Sequence, residues 1–212
     1  MTTLGTLLDQ IATDTRRSGT AWRSTASTHV TTAIKHYQRQ RFYFNESRDT
    51  TFTTIDTQFA YDMTDDIEMV FYKIDLAVLE ESTNDHELIV RDYRELELLQ
   101  TGGSSTGRPT DYAYIGESLL LYPVPDSSSY SIRLTGHIKV DAPASEGEGD
   151  NLWMTEAFDL IRSRVMWSLH KRVLHRHDEA AQYKADEMDE LGLLKRQMTA
   201  KVSTGTIQPA QF

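Results

Sequence analysis

Three histidines crowd one stretch of the chain, His170, His175 and His177, with Asp178 beside them. Imidazole and carboxylate are the side chains that hold zinc or move a proton near neutral pH, so a metal centre is the first chemistry to consider. The spacing argues against it. On a helix His175 and His177 stand about 200° apart, and His170 lies roughly 10 Å from His177 along the axis, so the three do not converge on one ion. Surface or interface histidines are the simpler reading. Asp65-Asp66 and Glu80-Glu81 pair carboxylates of the kind used in general acid and base catalysis. Sequence neighbours point to different sides, however, and both pairs read as polar turns. Gly102-Gly103 has the glycines of a phosphate loop but no lysine after it and no parallel βαβ unit around it. No GxSxG elbow, Gly-Lys-Ser/Thr loop or HExxH helix occurs, and there is no cysteine for a disulfide or a thiolate metal site. No enzyme, cofactor or metal site is therefore expected. A small hydrolase or metal-dependent enzyme built from scattered residues stays as an alternative. Stoichiometric metal, or a deep pocket collecting His175, His177 and carboxylates, would revive it.

The chain has 212 residues, 39% hydrophobic, enough for one large domain or two small ones with a real core. Its formal net charge of -10 disfavours a DNA-binding regulator or an anionic-membrane binder, both of which need local excess of Lys and Arg. An acidic surface can still line a path through which DNA slides without sticking. The N-terminus lacks a basic region followed by an apolar run, and no window approaches a membrane span, so a chain that is soluble and intracellular when made is expected.

Leu4, Leu7, Leu8 and Ile11 fall at helical spacing behind Thr2 or Thr3 as N-cap, with Arg16 to Gly19 ending the helix. A second helix is predicted from about Thr25, with Ala26, Val30, Ala33, Ile34 and Tyr37 on one face. It runs into Arg41-Phe42-Tyr43-Phe44-Asn45-Glu46, read as a junction buried between helices and sheet. A stacking platform for single-stranded nucleic acid would need basic neighbours that Asn45 and Glu46 do not supply. Phe59, Tyr61 and Met63 alternate, and Val70, Tyr72, Ile74, Leu76 and Val78 alternate with Phe71, Lys73, Asp75 and Ala77 as the strongest strand signal. His86, Leu88 and Val90 return as the second half of a hairpin. Asp92 and Glu95 have capping-box spacing for a short helix, closed by the Thr101 to Gly107 segment as a projecting loop. From Arg108 to Val140 an antiparallel meander is predicted, with its first turn at Gly116-Glu117-Ser118 and its second strand ended by Pro123 and Pro125.

Residues 141–150, DAPASEGEGD, read as a linker by composition. Beyond them Phe158, Ile161, Val165 and Leu169 make one stripe, and Ala181, Met188, Leu191, Leu194 and Met198 another, on one long helix or a pair. The first half is basic and the second acidic. Arg164, Arg172 and Arg176 against Asp186, Glu187 and Glu190 could therefore pair neighbouring copies, although a solvated face is the plainer account. Gly205 and Pro209 stop the helix, leaving 203–212 as an extended tail with Ile207 and Phe212 as isolated apolar anchors; a frayed terminus is its plain structural account. The expected fold class is α+β: N- and C-terminal helices form a helical body, and a central antiparallel β domain is inserted between them. The division is 1–41, 42–140, 141–150, 151–202 and 203–212.

N-terminal helices ending in RFYFNE, the TFTTIDTQFAY strand pair, GRPTDYAYIGESLLLYPVPDSSSYSIRL and a helical region opening with LWMTEAFDLIRSRV together resemble the head-to-tail adaptor (connector, or head-completion) proteins of tailed bacteriophages. The resemblance covers nearly the whole chain, though its motifs are short and structural. It implies a virion protein and homo-oligomer, a usually twelve-fold ring beneath the portal. Such a ring continues the DNA channel, with double-stranded DNA passing through unbound. It also implies a β domain facing the tail or nozzle proteins, and a C-terminal extension docked on the portal protein. Here that extension would be 203–212, with Ile207, Gln208, Pro209 and Phe212 at the contact. The polar linker and the Gly102-Gly103 loop exceed what a minimal member needs. A tail-tube or tail-completion protein is the nearest alternative, separable by its location in the particle.

Overall fold

The computed structural model describes residues 2–81, 84–103 and 105–202, with side chains as far as Thr199. The protein is α+β. In chain order the elements are α1 (Leu4–Thr15), α2 (Thr20–Tyr37), a 3-10 turn (Tyr43–Asn45), β1 (Glu46–Thr53), β2 (Ala60–Asp62) and β3 (Phe71–Glu80). There follow β4 (His86–Glu87), β5 (Ile89–Val90), α3 (Tyr93–Thr101), β6 (Asp111–Ile115), β7 (Ser118–Tyr122) and β8 (Ser131–Ile138), and then α4 (Leu152–Glu156), α5 (Phe158–Arg172) and α6 (His177–Val202). They sort into two units, a helical one from residues 1–45 with the chain from Val140 onward, and a β unit spanning 46–139.

In the helical unit, α1 buries Leu4, Leu7, Leu8 and Ile11, and the Thr3 hydroxyl accepts the Thr6 N–H at 3.1 Å. Arg16 is left-handed (φ 53°), and the N–H groups of Arg16 and Arg17 reach back to Thr13 and Ala12, the double closure that uses a helix's last carbonyls. Helix α2 begins at Thr20, earlier than the sequence predicts. The Ser- and Thr-rich start argues against helix because hydroxyls compete for the backbone, but those of Thr25, Thr28 and Thr32 bond the carbonyl four residues back and remove the competition. The aromatic segment belongs to this unit's core. Phe42 and Phe44 stack at 5.3 Å and both meet Trp153 edge-on, while Asn45 braces the turn through Phe42 N and Gln40 O. Residues 141–150 are tied down rather than free: Glu146 O accepts from Gly5 N, its carboxylate receives Arg23, and Asn151 Nδ2 donates to Asp141 O.

The β unit holds two four-stranded sheets, ordered β1-β8-β3-β4 and β2-β7-β6-β5. Gly116 and Glu117, both at positive φ, make the tight β6–β7 hairpin turn. The predicted meander ends there. Pro123 and Pro125 cannot donate to a ladder, and the chain crosses to the other sheet, where β8 lies between β1 and β3. The alternation along β3 is also broken. Bulges at Phe71/Lys73 and Ile74/Leu76 bury Phe71, Ile74, Ala77, Val78 and Leu79 and leave Tyr72 exposed. The run from His86 to Val90 is two strands, not one. β4 pairs with β3, and after buried Leu88 β5 joins β6 in parallel, whereas the other named strand pairs of the unit are antiparallel. The segment ending at Gly107 does not project, since Ser105 O and Gly107 N both bond to Val124. Asp92 caps α3 by accepting from Arg94 N at 2.8 Å, and buried Leu96 packs on Ala113 and Leu120.

Gly136 sits in β8 where a Cβ would stand 2.2 Å from Lys73 O. Gly136→Ala is expected to cost about 1–3 kcal/mol by overpacking, read as a lower urea midpoint with unchanged slope.

Candidate interaction surfaces of the helical unit

The histidines separate, but not along one helix as the spacing argument assumed: they fall on two helices and the turn between them, and His170, expected at a surface or interface, is in the core. His170 is buried on α5, its Nδ1 2.9 Å from Glu179 Oε2 but off the line of a hydrogen bond, whereas His175 occupies the left-handed turn before α6 and His177 starts that helix, both exposed. Among the described residues no group of three or more His, Asp or Glu could hold a metal ion. The carboxylate pairs act as local clamps: Glu80 takes Arg133 at 2.6 Å, Glu81 takes Arg108 at 3.3 Å, and Asp66 accepts from Asp62 N.

Burial holds the His170 imidazole below its ordinary 6.5, with Arg176 adding to the effect and Glu179 and Asp14 opposing it. The unfolded chain then takes up its proton at a higher pH than the folded one. The neutral ring's contribution is present above 6.5 and is lost as pH falls toward the folded value. His29 and His36 are lowered too, so His170→Gln is expected to shrink, without abolishing, the drop in melting temperature between pH 7.5 and pH 5.

Helices α5 and α6 pack antiparallel across the short turn at His175, and their contact line carries an ionic node. Glu187, only 2% exposed, accepts through Oε1 from Tyr37 Oη (2.5 Å), Lys184 Nζ (2.9 Å) and Arg164 Nη1 (3.1 Å). Burial pushes its carboxyl up, but the hydrogen bonds from Tyr37 and Lys184 and the charge of Arg164 outweigh it and hold the group below the usual carboxylate range. The same burial and bond raise the Tyr37 phenol. Arg164 and Glu187, offered by the sequence as one possible contact between copies, meet each other within one chain. Arg176 likewise faces Glu179 on its own chain at 3.4 Å, while Arg172 and Asp186 are exposed and Glu190 is half-buried.

The sequence reading missed the centre of this surface. Arg164, Lys171 and Lys184 surround the Trp167 ring at 4.4, 5.1 and 5.4 Å from its centroid. The i, i+3, i+7 spacing of Arg164, Trp167 and Lys171 carried the signal for two of the cations; Lys184 comes from the other helix. The α6 stripe is also offset from the expected one, with Ala180, Glu187 and Leu194 buried and Met188 64% exposed. In the β unit Ile89, Val90 and Leu98 are exposed at 57%, 67% and 73%, beside two-residue strands that cover little. Ile207, Gln208, Pro209 and Phe212 lie outside the described residues. No described helix is long and apolar enough to cross a membrane.

Among the described residues the features that stand out are contact surfaces, the Trp167 cluster of the helical unit and the exposed Ile89, Val90 and Leu98 of the β unit. The family model described as SU10 adaptor protein matches residues 2–209, and the chain belongs to this family of phage head-to-tail adaptors. It is thus a phage adaptor protein and a virion component, with partners on the portal and tail sides. A search of curated proteins returned no match.

Proposed function

We propose that this adaptor assembles as a dodecameric ring beneath the portal, extends the portal's DNA channel, and joins capsid to tail. The single observation carrying this reading is the family match, which runs over nearly the whole chain and into the tail segment. In this role 203–212 docks on the portal protein through Ile207, Gln208, Pro209 and Phe212, and the β unit with its exposed Ile89, Val90 and Leu98 meets tail or nozzle proteins. The net charge of -10 suits a channel wall that repels phosphate, so that DNA slides through without specific binding. Arg172, Asp186 and Glu190 remain available for contacts between copies. Immunogold labelling of purified particles tests the location. Label at the head-tail junction alone is expected; label along the tail would favour a tail-tube protein, and label over the whole capsid would overturn the adaptor position.

A further inference from the structure

Helix α6 has two flanks of opposite sign. At about 100° per residue, its inward line through buried Ala180, Glu187 and Leu194 and half-buried Leu191 leaves Lys184, Met188 and Lys195 on one side and Asp186, Glu190 and Leu193 on the other. The basic side continues onto α5, where Lys184 shares the Trp167 ring with Arg164 and Lys171. These three cations have one buried carboxylate, Glu187, bonded to two of them. The acidic side continues to Asp159 at the start of α5. There a cavity of about 220 Å³ has Phe158, Leu193 and Leu194 as apolar lining and Glu156, Asp159 and Glu190 around them. Burial, and then the charges of Asp159, Asp189 and Asp186, raise the Glu190 carboxyl, so these carboxylates repel one another. Among the described residues Asp159, Asp186, Asp189 and Glu190 form no ion pair.

We propose that the two flanks are halves of one interface between copies of this chain: the basic flank bearing Trp167 on one copy seats against the acidic cavity of the next. The inference rests on the ring reading and specifies its contact. Two different surfaces on either side of one buried line make a heterologous contact, which closes into a ring where a self-complementary patch would stop at a dimer. Opposite charge fixes register and suppresses wrong pairings, while Trp167 against Phe158 and Leu193 supplies apolar area. A partner of different chemistry, nucleic acid, would use the basic flank alone and leave the acidic cavity without a role.

Charge reversal on the full-length chain separates the possibilities. Lys171→Glu with Arg172→Glu alters one flank, and Asp186→Lys with Asp189→Lys the other; all four positions are exposed. Assembly is scored by sedimentation and by incorporation into particles, with circular dichroism as the control for folding. Each variant alone is expected to associate about tenfold or more weakly than wild type, and an equimolar mixture to recover, because the reversed flanks are complementary to each other. Wild-type-like assembly of either variant alone, or loss without recovery on mixing, overturns the interface and leaves the ring reading standing. Absence of the wild-type chain from particles removes the ring reading itself. Retarded migration of DNA that Lys171→Glu/Arg172→Glu abolishes and Asp186→Lys/Asp189→Lys does not would assign the basic flank to nucleic acid and likewise overturn the proposal. Should a reversed variant unfold, the native chain's lack of cysteine allows another route. Lys171→Cys mixed with Asp186→Cys and oxidised is expected to give a cross-linked dimer, and its absence overturns the proposal.

Discussion

Removal of residues 203–212 is expected to leave the fold and melting temperature essentially unchanged and to abolish incorporation of the protein into particles. The described core lies upstream of this segment, in α1, α2, α4, α5 and α6 of the helical unit and in the two sheets, so no described packing is lost. On the proposed docking, by contrast, both apolar anchors are lost. Full burial of a side chain such as Ile207 or Phe212 is worth about 1.5–3 kcal/mol, before the cost of immobilising the segment is subtracted. One copy would bind weakly on that alone, but a ring presents many tails at once and multiplies a small loss per copy into failure to attach. Quantification of the truncated chain in purified particles checks this. Phe212→Asp is expected to act in the same direction with a smaller loss. Incorporation of the truncated chain at the wild-type level would mean that the portal is held by another surface.

Glu187→Ala is expected to destabilise the protein by about 2–4 kcal/mol, since it removes the buried carboxylate that every other member of the ionic node shares, while Arg164 and Lys184, 18% and 41% exposed, keep part of their hydration. Tyr37 Oη, Arg164 Nη1 and Lys184 Nζ all converge on Glu187 Oε1, so its removal leaves a buried hydroxyl without its acceptor and two cations without their counter-charge. Glu187→Gln keeps an acceptor for Tyr37 and is expected to cost less. The pH dependence follows from the sign of the shift. The folded carboxyl lies below its ordinary 4.5, so its contribution is full above that value and is lost as pH falls through the folded pKa. Wild type should therefore lose stability below about pH 4.5 more steeply than Glu187→Gln. Urea unfolding at pH 7 and pH 3.5 measures both effects, and parallel profiles for the two proteins would contradict the node.

Features encoded within a few residues were legible in the sequence. The α1 stripe, the Asp92 cap and the Gly116-Glu117 turn each depend on local spacing or on a backbone preference that the residue type declares. Strand partners were not, because a period of two reports which face is buried and says nothing about which sheet a strand joins. For that reason β8 read as the third strand of a meander, and His86 to Val90 as one strand rather than two in different sheets. Along β3 the alternation was real in sequence, yet two bulges re-aimed it so that Phe71 is buried and Tyr72 exposed. Glu187 could not be recognised as a core residue from its own helix, since the hydroxyl that makes its burial tolerable arrives from Tyr37 on α2. The charge reversal along α5 and α6 was visible, but not that Arg164 and Glu187 neutralise each other within the chain while Asp186 stays exposed and Glu190 half-buried.

The most direct test of the connector role is the stoichiometry of purified particles, measured by quantitative mass spectrometry of this chain against the portal protein. A ring seated on the portal predicts a ratio near one to one. Absence of the chain from particles, or a copy number that scales with tail length, would contradict it.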